Sequence, residues 1–349
     1  MTIGERIKMT RKANRMSMRD LAVKAEISPM AISKYERDLD TPSSGVLLRL
    51  ARVLGISVDY FFRPKTIAVQ LQAYRKHSTL GIKEQDAIQM RIQEWLERYL
   101  EVESFFEEEK QLDVLPHYVI KTVDEVEKAT QELRMTWSLG LDPIENLTQL
   151  LEDHGIKVGR VDGFEHFEAC TFMAGKTPVI VTKADQPGDR QRFNLGHELG
   201  HLVLEVSENL DAEKISHRFV GAFLAPEPAV RFELGNRRTS LDMNELNLLK
   251  QKYGLSMQAW IFRARDLEII TPQAAERLHK RFRTNNWHHE EPGKAYPSEI
   301  PRRMEQLVYR ALAEDLISRS KAQELLGKLA NQYLIEEALP DGITISAGY

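Results

Sequence analysis

Cysteine is nearly absent from this chain, which has one, Cys170, among its 349 residues. A single thiol cannot close an internal disulfide or build a cysteine-rich zinc cluster. The sequence also has no apolar run near the roughly 18–20 residues that a membrane helix needs. Its first residues are polar, unlike the start of a secretory signal peptide. We therefore expect a cytoplasmic protein without a membrane partner.

Strong compositional bias is missing as well. Apolar residues make up 42% of the chain and charged residues 29%, which excludes collagen-like, low-complexity and disordered classes. The length suits two or three domains. Residues 1–65 hold 13 Lys and Arg against 7 Asp and Glu, a charge of +6, so a net charge of -4 leaves -10 for the remainder. A basic N-terminal segment in an otherwise acidic chain is typical of a protein that contacts nucleic acid through that segment.

The basic segment, residues 1–65, is predicted to form five short helices. Ser17, Ser43 and Ser57 stand where helix N-caps are expected, and Ser28-Pro29 combines an N-cap residue with the proline that suits a first helical position. The proline in Arg63-Pro64-Lys65 ends the last helix and marks a domain boundary.

This segment resembles the XRE/Cro-like helix-turn-helix family in its runs 16–28, 32–36 and 56–61. The resemblance implies that the third helix enters a major groove of double-stranded DNA. Met18 stands where the family usually has Gln. This difference affects the affinity for DNA more than the fold. The alternative is a module that binds protein or dimerises. The residues expected on the outer face of the third helix are Ser28, Met30, Ala31, Ser33, Lys34 and Arg37.

The rest of the chain divides by pattern into three segments. Residues 66–119 are predicted to be a helical connector, and residues 120–285 a domain of helices with a small sheet. Two apolar runs around Ala174-Gly175-Lys176 are typical of a hairpin. Residues 286–349 are predicted to form a C-terminal helical region. The fold class is therefore multidomain: an all-α N-terminal domain, an α+β domain and a helical tail.

The segment His197-Glu198-Leu199-Gly200-His201 carries the clearest chemistry. Four residues on a helix turn through about 400°, which places both imidazoles on one face. Two ring nitrogens can then reach one Zn²⁺, and Glu198 can take a proton from a bound water. The simpler interpretation is a helix with two ordinary histidines. Its apolar neighbours argue against this, because partly buried imidazoles need partners.

A catalytic zinc needs a third protein ligand and an open fourth position. Spacing favours Glu213, on a following helix packed antiparallel to the first, and leaves Glu208 and His217 as alternatives. Glu213 is equally suited to stabilise its helix as an acid in the first turn. The sequence pattern alone does not decide among these.

Residues 190–226 resemble the ImmA/IrrE family of metallopeptidases, through the lead-in Arg190-x-Arg192-Phe193, the HExxH segment and the run 213–226. Ser216, Val220 and Ala225 differ from the usual residues by small packing changes, and the likeness extends over about residues 120–270. It implies a zincin-like domain with His197, His201 and Glu213 as metal ligands and Glu198 as general base. A His₂-carboxylate set favours Zn²⁺, with Mn²⁺ as the alternative. The remaining site candidate is His217, a donor to the reacting carbonyl oxygen or a support for a ligand.

Both resemblances together imply a DNA-binding zinc endopeptidase that cuts a cognate helix-turn-helix repressor and dimerises on paired DNA half-sites. An alternative is a ligand-sensing, antitoxin-like repressor that binds metal without cutting, and such a protein would not need Glu198. A third interpretation is a structural zinc domain, for which His217 would have to be the fourth ligand.

Overall fold

The computed structural model describes residues 2–63, 81–109, 115–287 and 290–327. The helices are α1 (Ile3–Ala13), α2 (Met18–Lys24), α3 (Pro29–Tyr35), α4 (Ser44–Leu54), α5 (Ile82–Glu103), α6 (Glu125–Thr136), α7 (Leu147–Asp153), α8 (Gly188–Val203), α9 (Ala212–Leu224), α10 (Glu227–Leu234), α11 (Met243–Tyr253), α12 (Met257–Asp266), α13 (Pro272–Thr284), α14 (Arg303–Ala313) and α15 (Arg319–Leu326). Short 3-10 helices span Val58–Phe62 and Ser104–Glu109. The strands are β1 (Tyr118–Ile120), β2 (Lys157–Val161), β3 (Ala169–Ala174), β4 (Thr177–Lys183) and β5 (Leu204–Val206).

The N-terminal helices form a small domain around one apolar core. The Ser17 hydroxyl caps α2, with Asp20 completing a reciprocal capping box, and the Ser28 hydroxyl caps α3. The turn between these helices contains Glu26 at φ 55°, a left-handed conformation that lets the chain reverse direction. The core that fixes the angle between the helices consists of buried side chains from each element, among them Ile7, Leu21, Ile32, Leu50 and Phe61.

A three-stranded sheet lies at the centre of the second domain, in the order β2-β4-β3. β4 pairs in parallel with β2 and antiparallel with β3, through the hairpin turn at Gly175. Because side chains alternate along a strand, Ile180 joins the core cluster that contains α8, and Val179 and Val181 join the cluster that contains α5. The sheet is thus covered by α8 on one face and α5 on the other.

Helix α5 also contacts both the N-terminal domain and the sheet. Trp95 of α5 lies so close to Gly159 of β2 that a Cβ there would fall 2.9 Å from the indole. On the other side, the Arg6 guanidinium of α1 forms a buried ion pair of 3.0 Å with Glu97 of α5. Lys12 pairs with Asp86 at 2.6 Å. The helix-turn-helix therefore packs directly against the helix that covers the sheet.

The segment before α14 returns to the helix that carries the HExxH sequence. The buried Glu299 carboxylate accepts a hydrogen bond from the guanidinium of Arg192 in α8, and from the backbone amides of Leu147 and Thr148 at the start of α7. The Gln191 side chain donates a hydrogen bond to the backbone carbonyl of Glu299 and accepts one from its backbone amide. These bonds hold the beginning of α8 in place.

The predicted fold class is confirmed: a helical N-terminal domain is followed by an α+β domain and further helices. The structure adds three elements that the pattern did not predict, β1, β5 and α10. The four-segment division stays a prediction, and the part of the predicted C-terminal helical region after residue 327 lies outside the described residues. Within the described part of the chain, each helix is too short or too polar to cross a membrane.

Candidate metal centre

Two glycines allow α8 and α9 to approach closely. A Cβ on Gly196 would lie 3.1 Å from the side chain of Val220, and one on Gly200 would lie 3.2 Å from the ring of Phe219. Both distances are tighter than ordinary van der Waals contact. The glycines recur one turn apart, as the histidines do, and so the α8 surface beside the histidines is the one that contacts α9.

Three donor groups converge where these helices face each other. The Nε2 atoms of His197 and His201 lie 3.1 Å apart. The Glu213 carboxylate places Oε2 3.2 Å from Nε2 of His197 and Oε1 3.6 Å from Nε2 of His201. Glu213 lies in the first turn of α9, where the N-cap residue Asp211 accepts hydrogen bonds from the amides of Glu213 and Lys214.

These distances suit a single small cation. Ligand atoms bound tetrahedrally to zinc at about 2.0–2.1 Å are about 3.4 Å apart, close to the three separations above. Burial, with the nearby His201 and His217 imidazoles, lowers the pKa of His197 to about 4. The ring is therefore neutral near pH 7 and keeps a lone pair for a metal. A carboxylate with two imidazoles is a donor set that zinc accepts.

Glu198 lies beside this triangle and is buried. Burial, and secondarily the charge of Glu213, raises its pKa to about 8. No nearby side-chain cation is among the causes of that shift. A divalent cation held by His197, His201 and Glu213 would supply the missing positive charge.

His217 belongs to the same cluster. Its nearest ring nitrogen and the donor atoms of His197 and Glu213 all lie within 4.8 Å of one another. Its ring centroid is 4.9 Å from that of His197 and 5.5 Å from that of Phe193. Glu208 lies exposed in the turn before α9. Of the three candidates for the third ligand, Glu213 is the acid in contact with both histidines of α8.

The residues predicted to face DNA lie at the exposed edge of the N-terminal domain. Met30 and Lys34 on α3 and Arg37 after it are exposed, and Ala31 and Ser33 are partly exposed. Ser28 is exposed, but its hydroxyl accepts the amide of Ala31 as the helix cap.

Some site features were absent from the sequence interpretation. Asp211 caps α9 and so orients the turn that holds Glu213. An Asp just before an apolar helix is a known start signal that could have revealed this role. Ser216 lies 3.5 Å from Nδ1 of His201, a contact between two helices that no local pattern indicates.

Comparison with known proteins finds family matches for two segments of the chain. Residues 7–61 match the family model for a helix-turn-helix, and residues 151–265 match the model for an IrrE N-terminal-like domain, a family classed among the peptidases. An immunity repressor protein of Bacillus phage phi105 is 37% identical over 73 residues, 21% of this chain and 51% of that repressor. The chain thus spans about half the length of this curated relative. We conclude that the protein joins an XRE-like helix-turn-helix domain to an IrrE/ImmA-like domain.

Proposed function

We propose that this protein is a DNA-binding regulatory zinc endopeptidase that cuts a helix-turn-helix repressor or a related regulatory protein. One observation carries the proposal: His197, His201 and Glu213 meet at a single point, with Glu198 buried beside it. The match to a peptidase family over residues 151–265 supports the same chemistry.

We propose a role for each side chain of this cluster. His197, His201 and Glu213 would hold the zinc, which when bound supplies a Lewis acid that polarises a carbonyl and acidifies water. Glu198 would take a proton from the attacking water and pass it to the leaving amine nitrogen. His217, exposed at the rim of the cluster, would donate a hydrogen bond to the carbonyl oxygen as charge develops on it.

The regulatory part of the proposal rests on the N-terminal domain. Its match to a helix-turn-helix family and its likeness to a phage immunity repressor support DNA binding, which we propose occurs as a homodimer on paired half-sites. A protease with its own DNA-binding domain would be concentrated near repressors on DNA. This is why we favour a repressor as substrate.

The decisive test incubates the zinc-loaded protein with helix-turn-helix repressors encoded beside its gene and detects fragments by mass spectrometry. We expect wild type to cut one of them. We expect Glu198→Gln to retain zinc while its turnover falls at least about 100-fold. Phe232→Ala, a change on the exposed surface of α10, is the control and should cut normally. Zinc binding without cleavage of any repressor would contradict the proposed substrate.

A second candidate is a metal-binding or ligand-sensing repressor that does not cut protein. The specific observation in its favour is the relative named as an immunity repressor. Transcription from a bound promoter separates the two. A sensor keeps its regulation in Glu198→Gln, because only metal binding matters to it, whereas a peptidase loses its effect in that variant.

A further inference from the structure

A groove of 600 Å³ begins beside the metal centre and runs between α9 and α12. His217 and Phe193 line its inner end. His217 also belongs to the donor cluster, so the groove and the candidate reaction centre share a wall. A peptide lying across the cluster would therefore enter this groove with the residues on one side of the reacting bond.

The surface of the groove is largely apolar. Phe262 of α12 is 44% exposed and Val123 43% exposed, and both line it. Ala259, which is partly buried, contributes further apolar surface. Large apolar side chains that remain open to water around one concave surface are typical of a binding site. The ring of Phe262 also contacts the Arg265 guanidinium, 5.0 Å from its centroid, and the His279 ring at 4.3 Å.

The rim of the groove is basic. Of the described residues that line it, Lys214, Arg218, Arg263 and Arg265 are cationic and Asp266 is the acid. Arg218 and Arg263 are both paired with Glu127, and Arg265 with Asp266. Lys214 contacts Asp211 at 3.3 Å, and its side chain is 83% exposed. Lys214 and Arg265, whose side chain is 41% exposed, are thus the most exposed of the four cations.

We propose that this groove is the specificity subsite of the peptidase and selects a large apolar side chain followed by an acidic residue. The apolar side chain would pack on Phe262 and Val123, and the acidic one would face Arg265 and Lys214. The inference rests on the proposed function, because the groove is a subsite only if peptide is cut at the neighbouring centre. It adds the chemistry of the substrate, which the metal centre itself does not define.

The test measures binding of fluorescein-labelled dodecapeptides to the full-length, zinc-loaded Glu198→Gln protein by anisotropy. Three peptides in a Gly/Ser background carry a central Phe-Glu, Ala-Glu or Phe-Lys pair. We expect Phe-Glu to bind about tenfold more tightly than Ala-Glu, because the aromatic contact is lost. We expect it to bind about fivefold more tightly than Phe-Lys at low salt. Equal binding of the three peptides, or no binding of any, would overturn the proposal.

Two variants assign these preferences to residues. Phe262→Ala should abolish the preference for Phe over Ala, and Arg265→Glu should reverse the preference for Glu over Lys. The matched controls are Phe232→Ala, a Phe that is 85% exposed on α10, and Arg283→Glu, an exposed Arg of α13 paired with Glu276. Preferences that persist in the groove variants, or vanish equally in the controls, contradict the assignment.

Cleavage of the Phe-Glu peptide by zinc-loaded wild type separates the two proposals. Groove-dependent binding without cleavage of this peptide or of any repressor would refute the peptidase and leave a peptide-binding groove. Cleavage without the Phe-Glu preference would refute the groove as the specificity subsite and leave the peptidase.

Discussion

The Nε2 atoms of His197 and His201 lie 3.1 Å apart, one helical turn from each other on α8. Two imidazole nitrogens gain little from such an approach unless they share a proton or a cation. The carboxylate of Glu213 closes the triangle from a different helix, and it is 64% exposed. A metal bound there would link α8 and α9 and would remain open to solvent and substrate.

Zinc affinity should therefore depend on Glu213. We expect Glu213→Ala to weaken zinc binding at least about 100-fold, since even residues that only orient ligands are worth 10–100-fold. Glu208→Ala, the other acid that the sequence offers just before α9, is the matched control and should bind zinc normally. Competition with a chromogenic chelator measures both. Equal affinities would show that Glu213 is not a ligand.

Packing between α8 and α9 should tune the same affinity. In Gly200→Ala the new methyl group would lie 3.2 Å from the Phe219 ring and 3.4 Å from the Ser216 hydroxyl, which pushes α9 away by a few tenths of an ångström. We expect about tenfold weaker zinc binding. Unfolding of the metal-free protein should change little, because Ala gains about 1 kcal/mol of helix propensity over Gly. A large loss of metal-free stability with unchanged zinc affinity would contradict this account.

The buried pair of Arg6 and Glu97 should stabilise the contact between the N-terminal domain and α5. Glu97→Gln leaves the Arg6 charge buried without its carboxylate, so we expect a loss of about 3–5 kcal/mol in the free energy of unfolding. Replacing both residues by Met should cost much less, because neither charge then remains. Chemical denaturation of the three proteins tests this. A double variant as unstable as the single one would refute it.

Stability should depend on pH through Glu152. Burial raises the pKa of this carboxyl from 4.5 to about 7, although it accepts hydrogen bonds from the amides of Arg302 and Arg303. The folded state binds the Glu152 proton more tightly than the unfolded state, so protonation of this carboxyl stabilises the fold. This contribution is complete below pH 4.5 and is lost as pH rises to about 7. The loss is up to about 3 kcal/mol. Relative to that of Glu152→Gln, the free energy of unfolding of wild type, measured by urea denaturation, should therefore fall between pH 4.5 and 7.5. A pH-independent difference would disprove this.

Binding to DNA should involve Lys34 on the exposed side of α3. If it contacts phosphate, Lys34→Ala should weaken binding to any duplex and reduce the slope of log affinity against log salt by about 1. Arg283→Ala, on α13, is the control and should leave the slope unchanged. Fluorescence anisotropy with a random-sequence duplex at several salt concentrations measures both. An unchanged slope in Lys34→Ala would exclude the phosphate contact.

Local chemistry made much of this structure predictable. Ser17 and Ser28 start helices where the sequence indicates, and the turn at Gly175 joins the predicted hairpin. The i, i+4 spacing of His197 and His201 likewise places both on one face of α8. Each of these features is decided by residues within a few positions of one another, which is why a single sequence contains the signal.

Features that depend on distant residues were not predictable in the same way. β1 and β5 have three residues each and pair across the chain, from Tyr118 to Leu204, too short for alternation to show. α10 starts immediately after Pro226, which looks like a helix terminator when read alone. The position of α5 against Gly159 depends on tertiary packing. Such contacts are settled by which surfaces bury each other, and not by local preference.

The attachment of the N-terminal domain to α5, and of α5 to the sheet, has a consequence for how the protein would work on a chromosome. If the contacts of Arg6 and Lys12 persist on DNA, the metal centre and its groove would face one fixed side of the duplex. A neighbouring repressor site moved by half a helical turn, about 5 base pairs, would then face the opposite side. Operator spacing, and not only affinity, would set which repressors come within reach.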